Sequence, residues 1–457
     1  MKYMNLTIDQ LHDLLVNKEV TPLDLAKEAI ELAKKDTNNA FEYIMEKEAL
    51  EIASKLTEPE IDNPLWGIPF AIKDNISTKD VPTTASSNIL NGYVPLFNAT
   101  VVEKLLNKHA VPIGKTTLDE LAMGGTGTSG HLGMTYNPYD ETHTRLAGGS
   151  SCGSAAATSA PIVPFALGSD TGDSIRKPAS FVGLVGLKPT WSRISRYGLF
   201  PFAPSLDTVG FFTRSVKDCA YLLNVTSGRD ENDSTSSTKP VDDYVSLINK
   251  PVKGLKIATI RQINNAIKDE EVLKAFNNTI EQLKKEGVIV DEIDLDLNML
   301  ASIFPTYFVI SCSEATSNNA NLDGIKFGPY CEGNTYQEVM FNNRDKGFSP
   351  LIKRRFIIGS YALMSENREE LFDRAQKVRR IIVETFNKKL EEYDCLIGLA
   401  SPSVAPTFES SSDKLSATYL IADNYLAFAN FGGQPSITLP LGFKNLIVTG
   451  SPVNRLM

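Results

Sequence analysis

The residue types best suited to chemistry lie in one stretch, 148–174, with the sequence GGSSCGSAAATSAPIVPFALGSDTGDS. This stretch concentrates small residues around two groups of serines. Glycine and serine let the backbone approach a ligand closely and direct successive N–H groups at an anion. An acyl-transfer reaction needs such donors to stabilise its oxyanion. The stretch lacks GxxxxGK[ST] and GxGxxG, the usual signatures of a phosphate-binding loop.

A serine nucleophile needs a base, and histidine does not fit the usual arrangement. The string GSSCG (149–153) matches the G-x-S-x-G nucleophile elbow, in which the histidine follows the serine along the chain. All four histidines precede Ser151. A lysine whose pKa is lowered is the alternative base. Lys73, which follows the apolar run IPFAI (68–72), is the best candidate, although a lone lysine is usually a solvated surface residue.

Short apolar runs predict the scaffold that must position these groups. IPFAI, AVPIG (110–114) and IVPFALG (162–168) predict strands, and VVEKLLNK (101–108) predicts a helix. Apolar runs without strict alternation indicate strands covered on both faces. We therefore expect an α/β fold, with a sheet wrapped by helices.

The rest of the chain divides into a few further elements. Residues 1–60 predict an N-terminal helical region, in which Thr21 and Pro22 are suited to start a helix. The polar segment 228–243 predicts a surface loop or a linker between two lobes. A strand–helix–strand unit is expected at 254–260, 269–287 and 288–295, and a long charged helical region at 362–394.

Composition limits the function classes. The chain has 457 residues, of which 42% are hydrophobic and 22% charged, so it is neither disordered, collagen-like nor a coiled coil. Its net charge of −9 disfavours independent binding to nucleic acid or an anionic membrane. Five scattered cysteines without a CxxC pair predict no disulfide framework or zinc site and fit a reducing cytoplasm.

Two segments bear on membrane insertion and export. The uncharged run 146–169 is long enough to span a bilayer, but its prolines, glycines and serines favour buried enzyme core. The N-terminal residues form an amphipathic helical pattern and lack the apolar region of a signal peptide. We expect no membrane association.

Three segments resemble the amidase signature family: PFAIKDNI (69–76), GGSSCGSAAA (148–157) and LGSDTGDSIRKPASFVGLVGLKPT (167–190). The resemblance extends over nearly the whole chain. It implies the amidase signature fold, with a large twisted mixed β-sheet core covered on both faces by helices, as one compact domain over 61–457. Within the family, the chain is similar to the glutaminase subunits of tRNA-dependent amidotransferases at 195–210, 313–328, 353–363 and 374–382.

The resemblance implies a Ser-cisSer-Lys triad. Ser174, the last residue of TGDS, corresponds to the nucleophile, and Ser150 to the bridging serine in a cis peptide. Lys73 corresponds to the base, and a hydroxyl between lysine and nucleophile can relay a proton because it both donates and accepts. The backbone N–H groups of Thr171, Gly172, Asp173 and Ser174 would form the oxyanion hole.

Substrate residues are also implied by the resemblance. Asp423 corresponds to the residue that holds the amino group of glutamine. Arg355 is the candidate for the carboxylate, with Arg354 as the neighbouring choice, because a guanidinium binds both carboxylate oxygens. Tyr307 aligns roughly with a substrate tyrosine. The two arginines could instead be a solvated basic patch, and Tyr307 could belong to the core.

The implied function is hydrolysis of glutamine to supply ammonia. A partner B subunit would use ATP and Mg²⁺ to amidate misacylated Glu-tRNA(Gln), or Asp-tRNA(Asn), and would carry most of the tRNA contact. A small C subunit would clasp both. No cofactor or metal is expected in this chain, and the location is expected to be cytoplasmic. The alternatives are a stand-alone amidase for small amides and an inactive scaffold.

Three departures from the family pattern keep the scaffold alternative open. TGDS replaces TGGS, so Asp173 must pair with Arg176 or Lys177, or stay protonated, to avoid opposing an oxyanion. Arg176 itself is expected either to hold the loop or to be plain surface charge. Cys152 replaces a glycine and is expected to be a packing residue rather than a second nucleophile. The C-terminus is expected to be truncated by roughly thirty residues relative to the family, which would uncover a sheet edge.

Overall fold

The computed structural model describes residues 2–326, 328–408 and 425–442. The strands in these ranges are β1 Phe41–Ile44, β2 Pro69–Lys73, β3 Val111–Thr116, β4 Phe165–Asp170, β5 Val185–Lys188, β6 Thr208–Thr213, β7 Lys256–Ile260, β8 Ile289–Ile293, β9 Cys395–Leu396 and β10 Ser436–Thr438.

The α-helices in the same ranges are α1 Ile8–Val16, α2 Pro22–Lys34, α3 Glu46–Lys55, α4 Thr100–Leu106, α5 Cys152–Ser159, α6 Arg176–Phe181, α7 Val216–Thr226, α8 Tyr244–Leu247, α9 Arg261–Ala266, α10 Glu270–Lys285, α11 Leu297–Asn318, α12 Tyr336–Gly347, α13 Pro350–Leu363, α14 Arg374–Glu392 and α15 Phe428–Phe431. None of these helices is long and apolar enough to cross a membrane.

The larger sheet is mixed. Its strands, as far as the described residues show, follow the order β1-β3-β2-β4-β6-β5-β10. Strand β2 is parallel to β3 and β4, and the other neighbours are antiparallel. Strands β2, β3, β4 and β6 are buried along their whole length, which accounts for their continuous apolar sequences. Helices α2, α5 and α7 pack against these strands, so the predicted α/β fold with a large mixed sheet is confirmed.

A smaller parallel sheet has the order β8-β7-β9. The predicted strand–helix–strand unit forms β7, α10 and β8. Asp269 caps α10 by accepting from the N–H groups of Glu271 and Val272. Gly287 follows the helix at φ 85°, a backbone conformation that favours glycine.

The predicted helical region 1–60 forms α1, α2 and α3. It also contains strand β1, which the periodicity did not indicate. Thr21 caps α2 and Pro22 begins it, as predicted. Strand β1 lies between α2 and α3 and pairs antiparallel with β3, so this region contributes an edge strand to the larger sheet. The predicted loop 228–243 contains no helix or strand.

Helices from the second half of the chain form a layer around a second apolar core. Helix α11 packs against α13 and α14, and these helices share a core with residues of the first half of the chain, including Phe202. The predicted helical region 362–394 is interrupted, because α13 ends at Leu363 and Met364 has an extended backbone. A π-helical turn, Glu369–Asp373, then leads into α14. The uncharged run 146–169 forms α5 and the start of β4 and is mostly buried, as predicted for core.

Candidate active site

Lys73 is the last residue of β2 and its side chain is fully buried. Its Nζ lies 2.8 Å from Ser150 Oγ, 2.8 Å from Ser151 Oγ and 2.9 Å from Ser169 Oγ. Because β2 and β4 are parallel neighbours, Lys73 and the loop that follows β4 emerge at the same edge of the sheet. The sheet therefore brings together two segments about a hundred residues apart in sequence.

Burial gives Lys73 the properties of a base. It lowers the pKa of the ammonium to about 7, against the opposing effects of Cys152 and of the carboxylates of Asp119, Asp170 and Asp207. A lysine with this pKa supplies a neutral amine near neutral pH. The serine hydroxyls satisfy the amine by hydrogen bonds.

Ser150 follows a cis peptide bond, Gly149–Ser150, at the position where the resemblance implies one. Helix α5 begins two residues later at Cys152. The N–H of Ser151 donates to the carbonyl oxygen of Ser174 at 3.3 Å, which ties this segment to the loop after β4. Ser150, Ser151 and Ser174 are all buried.

The loop 171–174 presents unused donors. Among the described residues, the backbone N–H groups of Gly172, Asp173 and Ser174 have no hydrogen-bond partner. Within the same part of the chain, Ser174 Oγ is also unpaired, so the expected hydrogen bond from Ser150 to Ser174 is not made here. N–H groups of this kind can stabilise an oxyanion, and a hydroxyl beside them can serve as the nucleophile.

Arg176 holds this loop from within the core. Its side chain is fully buried and forms two hydrogen bonds with Asp170, Nε to Oδ2 at 3.1 Å and Nη2 to Oδ1 at 3.0 Å. It also donates to Gly172 O, Leu426 O and Asn430 Oδ1. Burial alone would raise the pKa of Asp170, but Arg176, the N–H of Ile175 and Lys188 together lower it to about 2. Of the two alternatives for Arg176, the structural one is confirmed.

Asp173 forms an ion pair, with its Oδ2 2.9 Å from Lys177 Nζ one helical turn later. Burial raises the pKa of the Asp173 carboxyl, and Lys177 opposes that effect. The pairing matches the expectation that a following cation holds this side chain.

Tyr307 reaches the loop from the helical layer, and Arg355 lies near Tyr307 in the same layer. A Cβ added to Gly172 would lie 2.8 Å from Tyr307 Cζ, so the tyrosine ring packs directly on this glycine. Burial raises the pKa of Tyr307, and the nearby Arg355 opposes it. Arg355 lies over the rings of Phe308 and Phe202, and its Nε and Nη1 are buried without a hydrogen-bond partner in the part of the chain that the structure describes. Arg354 is exposed.

Two residues singled out from the sequence remain, Cys152 and Asp423. Burial raises the pKa of the Cys152 thiol to about 12, and its Sγ accepts from Thr135 Oγ1 at 3.3 Å. Cys152 is 1% exposed, and a buried thiol with a raised pKa agrees with a packing residue rather than a nucleophile. Asp423 and the chain end beyond residue 442 lie outside the described residues.

Comparison with known proteins identifies the family. A family model described as Amidase matches residues 23–454. The chain belongs to the amidase family. The resemblance inferred from the serine-rich and lysine segments is therefore confirmed.

Relatives within the amidase family share most of the chain. It is 41% identical over 458 residues to the A subunit of a glutamyl-tRNA(Gln) amidotransferase from Streptococcus mutans, covering 99% of this chain and 92% of the relative. The corresponding Staphylococcus epidermidis protein is 42% identical, with 96% and 91% coverage. Among solved structures, the A subunit of the Thermotoga maritima glutamyl-tRNA(Gln) amidotransferase superposes with a TM-score of 0.78 at 35% identity, covering 97% of this chain and 90% of that one.

Sequence reasoning missed several residues around the amidase-family site. Ser151 and Ser169 were not assigned as partners of Lys73, although both lie in the serine-rich stretch. Asn430, which donates to Asp170 Oδ1 at 3.0 Å, is 260 residues away in sequence and carries no local signal. Asp119, which is fully buried, likewise carries no local sequence signal.

We predict that Arg176→Ala lowers the free energy of unfolding by about 3–5 kcal/mol, because it leaves the buried Asp170 without its cation. Arg380→Ala is the control, since its pair with Glu384 is solvent-exposed and is worth at most about 1 kcal/mol. Urea denaturation of both variants measures the difference. Equal losses in the two variants would contradict the role assigned to Arg176.

Proposed function

We propose that this chain is the glutaminase subunit of a tRNA-dependent amidotransferase that converts misacylated Glu-tRNA(Gln), or Asp-tRNA(Asn), into the amidated aminoacyl-tRNA. One observation carries the chemistry: a fully buried lysine, with its pKa lowered to about 7, donates to Ser150 Oγ near the loop 172–174, whose backbone N–H groups have no hydrogen-bond partner among the described residues. The names of the relatives at about 40% identity support the choice of substrate.

The proposed reaction has two halves. Ser174 Oγ attacks the side-chain carbonyl carbon of glutamine, and its proton passes through Ser150 to Lys73. The N–H groups of Thr171, Gly172, Asp173 and Ser174 stabilise the oxyanion. The proton returns to the leaving nitrogen, the C–N bond breaks and ammonia departs. Water then attacks the glutamyl ester, its proton is taken by the same relay, and glutamate leaves as Ser174 is regenerated.

We assign glutamine recognition to Arg355, Tyr307 and Asp423. Arg355 would bind the α-carboxylate, since its buried Nε and Nη1 lack partners among the described residues and a buried unpaired donor is costly. Tyr307 would line the substrate site against Gly172. Asp423 would hold the α-amino group.

The proposed assembly has three subunits in the cytoplasm. A B subunit would use ATP and Mg²⁺ to activate the misacylated tRNA and receive the ammonia, and a C subunit would clasp the pair. The relatives' names, which designate one lettered subunit, support a multi-subunit enzyme. We propose residues 61–457 as the amidase domain and 1–60 as an N-terminal helical region, whose strand β1 joins the sheet of that domain.

A stand-alone amidase is the second candidate, because a solved peptide amidase superposes with a TM-score of 0.80 at 26% identity. Co-purification from the native cell, followed by glutaminase assays with and without ATP and misacylated tRNA, separates the two. Partner subunits and stimulation by ATP and tRNA are expected. A monomer that hydrolyses simple amides as fast as glutamine would support the amidase instead.

We predict that Ser174→Ala abolishes glutamine hydrolysis, and that Lys73→Ala and Ser150→Ala each lower kcat by about a hundredfold or more, because the acyl intermediate or the proton relay is lost. Ammonia release from glutamine is the measurement. More than half of the wild-type activity in Lys73→Ala would disprove the mechanism.

The matched control replaces glutamine with ammonium chloride in the assembled enzyme. Ammonia-dependent amidation of tRNA should survive in all three variants, because it bypasses this site. Loss of that activity would indicate a folding or assembly defect instead.

We predict that Arg355→Ala raises the KM for glutamine by about 10- to 100-fold, since a hydrogen bond to a charged group contributes about 1.5–3 kcal/mol. Slow turnover of a simple amide without an α-carboxylate should be spared. Arg354→Ala is the control, because that neighbour is exposed. Equal losses on both substrates would show that Arg355 has a structural role.

We predict that Asp173→Gly changes kcat by less than about tenfold, because Lys177 holds the carboxylate in an ion pair. Asp173→Asn, which keeps the volume and removes the charge, is the companion variant. Steady-state kinetics and thermal unfolding measure both. A rise in kcat of about a hundredfold in either variant would show that Asp173 opposes the oxyanion.

A further inference from the structure

A buried carboxylate outside the proposed triad organises the segment that carries Ser150. Asp119 is fully buried. Its Oδ2 accepts from the N–H groups of Thr126 at 3.1 Å and Gly127 at 3.0 Å. Its Oδ1 accepts from the N–H groups of Thr128 at 3.0 Å and Ser129 at 3.2 Å, and from Ser129 Oγ at 2.9 Å. One carboxylate thus fixes the loop 126–129.

The same residue is in contact with the Gly149–Ser150 segment. Its backbone N–H donates to the carbonyl oxygen of Ser150 at 3.1 Å. A Cβ added to Gly149 would lie 2.0 Å from Asp119 Oδ2 and 2.9 Å from the backbone nitrogen of Gly127. The carboxylate and the loop that it holds therefore occupy the space where a side chain at position 149 would lie.

We propose that Asp119 is a positioning residue for the reaction, whose carboxylate and backbone N–H together hold Gly149 and Ser150 so that Ser150 Oγ meets Lys73 Nζ. The inference rests on the proposed function, because it assigns Asp119 a role through Lys73 and Ser150. It predicts a loss in turnover rather than in glutamine binding, since Arg355 and Tyr307 belong to the helical layer.

The charged groups around Lys73 make it possible to distinguish a positioning role of Asp119 from a purely structural role in folding. The groups that raise its pKa are Cys152, Asp119, Asp170 and Asp207. Asp170 is paired with Arg176, Asp207 accepts from Thr171 Oγ1 at 2.6 Å, and the Cys152 thiol has its pKa raised to about 12. Asp119 has no lysine or arginine at ion-pair distance among the described residues. Removing its charge therefore changes the environment of Lys73 without breaking an ion pair.

The experiment uses Asp119→Asn in the assembled enzyme. The amide group turns one acceptor into a donor that faces backbone N–H groups, so it loosens the loop. We expect kcat for glutamine to fall about 30-fold or more, with KM within about threefold of wild type. We also expect the acid limb of kcat/KM to move to lower pH by about half a unit or more, because a nearby carboxylate favours the protonated lysine.

Asp233→Asn is the matched control. Asp233 accepts from the N–H groups of Arg196 at 2.9 Å and Thr235 at 3.0 Å, and so also holds a loop. The carboxylates that raise the pKa of Lys73 are those of Asp119, Asp170 and Asp207, and Asp233 is not among them. This variant should lose stability without a change in the pH profile. A kcat and an acid limb like those of wild type in Asp119→Asn would overturn the inference, as would equal effects in the two variants.

Two further measurements cover the other outcomes. If Asp119→Asn does not fold, Ser129→Ala is the substitute, because it removes one donor to the carboxylate. It should lower kcat about threefold at constant KM, and an unchanged kcat would overturn the inference.

Wild type and Ser174→Ala separate this inference from the proposed function. If wild type does not hydrolyse glutamine, both fail. If Ser174→Ala is inactive and Asp119→Asn is normal, only the inference fails.

Discussion

The site depends on a lysine kept out of water at the end of a buried strand. An ammonium in such a place loses its hydration, and burial accordingly lowers the pKa of Lys73 to about 7. The amine is not left unsatisfied, because the hydroxyls of Ser150, Ser151 and Ser169 surround it. This arrangement requires β2 and β4 to be parallel neighbours, since only then do Lys73 and the loop after β4 meet at one sheet edge.

Buried carboxylates hold the loops on either side of that lysine. Asp170 and Arg176 fix the loop 171–174 from the core side, and Asp119 fixes the loop 126–129 against Gly149. In both cases N–H groups or a guanidinium satisfy the carboxylate, so the burial of charge is tolerated. Within the described part of the chain, these contacts leave the backbone N–H groups of 172–174 without hydrogen-bond partners, so they can donate to a ligand.

Asp173 and Cys152, which stand where the family pattern has glycine, are accommodated by the directions of their side chains. Position 172 has no room for a side chain, because Tyr307 packs on it at a distance that a Cβ would violate. Position 173 differs, since its carboxylate reaches Lys177 one helical turn later. Cys152 is equally compatible, because its thiol is buried at the start of α5 with a raised pKa. Adjacent positions in one motif thus tolerate substitution to different degrees for steric reasons.

The sequence by itself determined the buried strands, the capped helices, the family, and the candidates Lys73, Ser150 and Ser174, because each is encoded by neighbouring residues within one strand, cap or motif. It did not indicate β1, whose place at the sheet edge depends on β3 seventy residues later. Only the tertiary structure decided that Arg354 is exposed whereas Arg355 is partly buried near Tyr307, that Arg176 is a core residue, and that the N–H of Asp119 donates to the carbonyl oxygen of Ser150. These contacts join segments far apart in the chain, and only packing brings such segments together.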